Sequence, residues 1–196
     1  MKKKILLVSA LAILFAVAVS GTLAYFTADE VAHNIITSGS VEIDLVEKTQ
    51  LPDGTLADFP QEGISGVMPG TVVSKIVSVT NTGLSEAWIR VKIEAKIVGA
   101  DGKELSGKLS DGSPVMSFEI SENWVEKDGY YYYKNPVAPG KNTDELMKEV
   151  TFDLLMGNEY QNCTANLIVS AEAVQTANNG KSVTDAEGWP NISIDK

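Results

Sequence analysis

Between Ala87 and Ile97 the chain alternates without a slip. Ala87, Ile89, Val91, Ile93, Ala95 and Ile97 fall on one side of an extended backbone, and Trp88, Arg90, Lys92, Glu94 and Lys96 fall on the other. A helix would scatter such a set around its axis, whereas a strand sorts it onto two faces. The segment therefore reads as a strand with its apolar face toward a core and its charged face toward solvent. The same period recurs along the chain. Val41, Ile43 and Leu45 alternate with Glu42 and Asp44, and Met116, Phe118 and Ile120 alternate, as do Val150, Phe152 and Leu154. Ala165, Leu167, Val169, Ala171 and Ala173 share a face opposite Asn166, Ser170 and Glu172. Thr71 to Thr80 is rich in β-branched residues, which suit a pleated, half-buried surface.

Turn chemistry separates these runs. Asn81-Thr82-Gly83 closes the Thr71 run, and Asp128-Gly129 sits between Trp124-Val125-Glu126 and Tyr130 to Tyr133, a hairpin signal. Prolines and glycines punctuate residues 48–70, which read as a long surface loop. Thr143 to Lys148 reads as a short helical turn with Thr143 as its cap. The tail from Gln175 onward is polar, with Trp189 placed to pack back on the domain. Several short strands with turn signals, and no long helical period, give an all-β fold: an antiparallel β-sandwich with short helical turns in its loops.

The first residues have a different logic. Lys2, Lys3 and Lys4 precede an uncharged apolar run from Ile5 to Val19, and Ser20 to Ala24 follow with small side chains. That order is the layout of a secretory signal peptide, with the cut expected between Ala24 and Tyr25. An uncleaved anchor is the competing reading, since the run approaches the roughly 20 residues that span a bilayer. A pilin-type leader fits less well, because its apolar run would follow the cut. The chain divides into a leader at 1–24, an N-terminal segment at 25–40 and a sandwich domain at 41–196.

Charge and composition exclude several classes. The net charge is −10, from 16 basic and 26 acidic residues, and losing Lys2, Lys3 and Lys4 makes the chain more acidic still. Nucleic acid needs Lys and Arg for its phosphates, so it is not an expected partner. A single cysteine, Cys163, rules out an intrachain disulfide and reads as buried. A single histidine, His33, rules out HExxH and any two-histidine zinc site. The Asp-Gly pairs lack the spacing of a calcium loop and read as turns. Leu51-Pro52-Asp53-Gly54-Thr55 has the wrong order for a wall-sorting signal. Tyr130 to Tyr133 alternate between faces, so two tyrosines share a surface, the pattern of cross-strand aromatic pairs more than of a sugar platform. No cofactor is expected.

Gly21-Thr22-Leu23-Ala24-Tyr25-Phe26-Thr27, followed by Asn34 to Leu45, resembles the opening of the TasA/camelysin family of exported Gram-positive proteins. Met68-Pro69-Gly70 before a Val-rich strand ending Asn81-Thr82-Gly83 is similar to a further segment of that family. The resemblance implies a jelly-roll-like sandwich, a leader cut by a SipW-type signal peptidase, and self-association into extracellular matrix or cell-surface fibres, with other matrix components as further partners. It also implies that the mature N-terminal segment completes a neighbour's sheet. Tyr25, Phe26, Ala28, Val31, Ala32, Ile35 and Ile36 are the candidate assembly residues. The segment Tyr25 to Ile36 has neither proline nor glycine, so every N–H is available to a ladder. The ordinary alternative is that it folds back as the domain's own first strand. Two other function classes stay open: a camelysin-like metalloprotease, and a monomeric surface adhesin.

Overall fold

The computed structural model describes residues 35–36, 41–60, 64–65 and 68–190. All of them belong to one compact unit, His33–Lys196. In chain order the strands are β1 (Ile35–Ile36), β2 (Ile43–Gln50), β3 (Leu56–Asp58), β4 (Ile64–Ser65), β5 (Val72–Asn81), β6 (Ala87–Val98) and β7 (Glu104–Leu105). There follow β8 (Met116–Ser117), β9 (Trp124–Lys127), β10 (Tyr130–Tyr133), β11 (Met147–Phe152) and β12 (Thr164–Gln175). Short 3-10 turns at Asn158–Tyr160 and Val183–Asp185 are the helical turns in loops.

The strands form two sheets. One has the order β1-β12-β6-β10-β9, with β4 also on β12 and β7 also on β6; the other has the order β3-β2-β5-β11-β8. Every pairing is antiparallel except β1 on β12. The chain passes from sheet to sheet between β1 and β2, β3 and β4, β4 and β5, β5 and β6, β7 and β8, β8 and β9, β10 and β11, and β11 and β12. The fold is an all-β sandwich. Ile43, Val77, Val79, Val150 and Phe152 from one sheet and Ile89, Val91, Ile97, Val169 and Ala171 from the other share one core.

The alternating runs fold as their period dictates. Ala87, Ile89 and Val91 are fully buried on β6, and β12 pairs with β6 along its whole length, Thr164↔Val98 to Gln175↔Ala87. At the β9–β10 hairpin, Asp128 (φ 53°) and Gly129 (φ 78°) are both left-handed, the two-residue turn that matches strand twist. Trp124 and Tyr133 face each other across it with ring centres 5.1 Å apart.

Elsewhere the structure corrects the reading. The stretch 48–70 is not all loop: β2 runs on to Gln50, and the turn Leu51–Thr55 folds β3 back onto it. Just outside that stretch two inward positions hold charges, Glu47 and Lys75, paired inside the sandwich. Thr143 to Lys148 makes no helix. Thr143 exchanges hydrogen bonds with the Val79 backbone and Leu146 N–H donates to Val77, so the chain runs extended along β5 into β11. Only Met116–Ser117 of its run is a strand, and β11 ends at Phe152, leaving Leu154 exposed.

The largest correction concerns the charged face of β6. Trp88 is buried, and the Arg90 side chain is only 11% exposed. Residues 176–190 form a strap across that face, where Val183, Ala186 and Trp189 make a second small core with Trp88, Tyr132 and Val174. Gly180 (φ 65°) turns the strap, and a Cβ there would come within 2.9 Å of the Asp185–Ala186 backbone. Lys92 and Glu94 do face outward, paired with each other.

Candidate functional site

Cys163 is 1% exposed, and burial pushes its thiol up from the usual range, the opposite of what a nucleophile needs. Tyr160 beside it is pushed up by the same cause, and its hydroxyl donates to the Ser106 carbonyl. No three His, Cys, Asp or Glu side chains among the described residues come together to hold a metal. His33 lies outside the described residues. A surface hollow of about 300 Å³ lies between Met68, Pro69, Met156 and Tyr160, lined by thioether, phenol and amide groups. Another of about 390 Å³ lies beside β11, bordered by Glu119, Glu145, Lys148 and Glu149.

What stands out instead is the edge of the larger sheet at β12. One side of β12 is fully laddered to β6. On its other side, β4 pairs only at Thr164–Ala165 and β1 only at Ala171–Glu172. Between them Asn166–Ser170 has no ladder partner on that side among the described residues. An edge of this kind presents N–H and C=O groups to an extended chain. Its inner face is apolar: Leu167 packs on the core, and so does Ile93 behind it.

Of the predicted assembly residues, Ile35 and Ile36 lie on this edge, in parallel register with Ala171 and Glu172. Tyr25, Phe26, Ala28, Val31 and Ala32, and the expected cut after Ala24, lie outside the described residues. Sequence reasoning missed the partner strand. It also missed Glu172, which alternation assigns to a solvent face. Glu172 is 1% exposed and takes two donors from Arg90, Nε at 2.7 Å and a terminal nitrogen at 2.5 Å, both on Oε2. Its Oε1 is buried without a hydrogen-bond partner. The signal was an Arg and a Glu each set among apolar neighbours on the two longest alternating runs.

Fold and edge together define an antiparallel β-sandwich in which the β12 edge is only partly laddered among the described residues. No family model matches the chain, and no curated protein or solved structure matches it either. No helix among the described residues is long and apolar enough to cross a membrane.

Proposed function

We propose that the protein is an exported structural subunit that assembles into extracellular matrix or cell-surface fibres by strand addition at the β12 edge. The observation that carries this reading is the parallel ladder between Ile35–Ile36 and Ala171–Glu172, beside an edge stretch with no other ladder among the described residues. In this chain Ile35–Ile36 fold back on their own β12, and that pairing supports the edge as a place where an extended strand from another copy could dock. Main-chain hydrogen bonds supply affinity in this mode, and alternate side chains supply register. If the strand comes from the next copy, the contact is head-to-tail, and such contacts build open filaments when the rotation does not close. A leader that must be cut before Tyr25 is free would hold polymerisation back until export.

The experiment compares protein starting at Tyr25 with protein starting at Ser38, by electron microscopy and thermal unfolding. The longer form is expected to make filaments. The shorter is expected to stay monomeric and to melt higher when a peptide of residues 25–36 is added, since a ligand that binds only the folded state raises its stability. Folded truncated protein that still forms the same filaments would remove strand addition.

A further inference from the structure

One cross-strand row of the larger sheet runs from its β1 edge to its β9 edge. Ile36, Glu172, Arg90, Tyr132 and Val125 stand in register across five strands. The row ends under the strap. The Arg90 guanidinium lies 3.9 Å from the Tyr130 ring centre and 4.5 Å from that of Trp189, and it donates to the Tyr132 hydroxyl at 3.2 Å. Trp189 meets Tyr132 edge-on at 5.8 Å, and Trp88 Nε1 donates to the strap carbonyl of Asn179 at 3.0 Å.

We infer that occupation of the β12 edge at Ala171–Glu172 and closure of the C-terminal strap over Arg90 are coupled through the Glu172–Arg90 pair. It rests on that edge being a place where a strand docks, whichever copy supplies the strand.

The coupling follows from where the charges lie. Both Arg90 donors reach one carboxylate oxygen, so Oε1 of Glu172 is left buried without a donor. Such an atom is kept from water at a cost, and opening the edge beside it lets water in. Water at Oε1 raises the local dielectric and weakens the hold of Glu172 on Arg90. Arg90 is then less fixed, and the guanidinium is the surface on which Trp189 stacks. A strand at the edge does the reverse: it keeps the pair dry, fixes Arg90 and completes the seat of the strap. Coupling between two sites is reciprocal, so a docked strap must also favour an occupied edge.

Hydrogen exchange of the full chain, read by mass spectrometry, tests this. The double variant Ile35→Pro/Ile36→Pro removes both N–H groups of β1. Strap amides between Val183 and Trp189 are expected to exchange about fivefold faster or more, the lower bound of ordinary coupling, while β5 and β11 amides do not change. In a Glu172→Gln background the proline pair is expected to add nothing at the strap. Unchanged strap protection overturns the coupling, and so does an equal effect with and without Glu172→Gln. If the proline pair also loosens β5 and β11, Trp189→Ala decides: reciprocity requires faster exchange at Ile35 and Ile36, and its absence overturns the proposal. Filament formation is scored separately. A chain with coupled exchange and no filaments keeps the coupling and loses the fibre; filaments with an indifferent strap do the opposite.

Discussion

The side-chain amide of Asn81 donates to the Val137 carbonyl at 2.7 Å, joining the end of β5 to a loop 56 residues on. The same nitrogen donates to the Ser85 carbonyl at 2.8 Å, and Oδ1 accepts from Gly83 N–H at 3.0 Å. Asn81 is fully buried, so it organises the Thr82–Ser85 turn and the 134–143 connection at once. Asn81→Ala is expected to cost about 2 kcal/mol, because at least one buried group loses its partner. Urea unfolding with an unchanged slope checks it. Asn81→Asp should cost more, since it loses both donors and buries a charge.

The face assignment on β6 gives a second expectation. Val91→Asp puts a charge in the shared core and is expected to cost several kcal/mol. Arg90→Met leaves Glu172 buried and unpaired, and removing one partner of such a pair costs about 3–5 kcal/mol. Adding Glu172→Leu to Arg90→Met should recover most of the loss. Lys92→Met, next to it on the same face, should change stability by less than about 1 kcal/mol, because the Lys92 side chain is one-third exposed and its pair with Glu94 is a surface one. Equal shifts for Arg90→Met and Lys92→Met would return β6 to a plain solvent-facing strand.

The β9–β10 turn yields a third. Gly129 at φ 78° occupies backbone that costs an L-residue about 1–2 kcal/mol. Gly129→Ala is expected to destabilise by about 1 kcal/mol and to raise exchange in Trp124–Lys127 more than in β12. A neutral result by thermal melt would mean that the hairpin tolerates another turn.

These residues also mark what the sequence made legible. Alternation recovered β12, the start of β2, the hairpin and β6 up to Ile93, because in each the core-facing side chains are apolar; Ala95, assigned to the same face of β6, is exposed. It failed where inward or covered positions are polar. Arg90 and Glu172 lie 82 residues apart in the chain and neutralise each other only in the folded sheet. Trp88 looked exposed because its cover is a polar, Gly/Asn-rich tail with few apolar anchors. Thr143 looked like a helix cap because its hydroxyl serves the β5 backbone, a partner 64 residues away. The Tyr25 to Ile36 segment reads as a candidate donor because it lacks glycine and proline; the β12 edge on which Ile35 and Ile36 lie is not legible, because an edge belongs to sheet order and not to one strand's pattern.

Lys75 and Glu47 carry the last prediction. Lys75 is 3% exposed and Glu47 16%, with Nζ 2.5 Å from Oε1 and 3.7 Å from the centre of the Phe59 ring. Burial pulls the Lys75 ammonium below its ordinary value of 10.5, and Glu47 only partly restores it. Between that lowered folded value and 10.5, the unfolded chain binds a proton that the folded chain has released. Stability from this group therefore rises as pH climbs through that window, and below it the full burial cost is present. The reference is the double variant Lys75→Met/Glu47→Leu, which replaces the pair with apolar groups. Near neutral pH it should be as stable as the natural protein or more so, because desolvation of a buried pair commonly exceeds its attraction. Lys75→Met alone should lose about 3 kcal/mol, at the low end for a broken pair because Glu47 retains some water contact. The measurement is the melting temperature of each protein from pH 7 toward alkali. The natural protein is expected to gain on the double variant as pH rises toward 10.5. A constant gap across that range would show that burial does not hold the lysine's proton loosely, and a double variant as unstable as Lys75→Met would show that the pair is net stabilising.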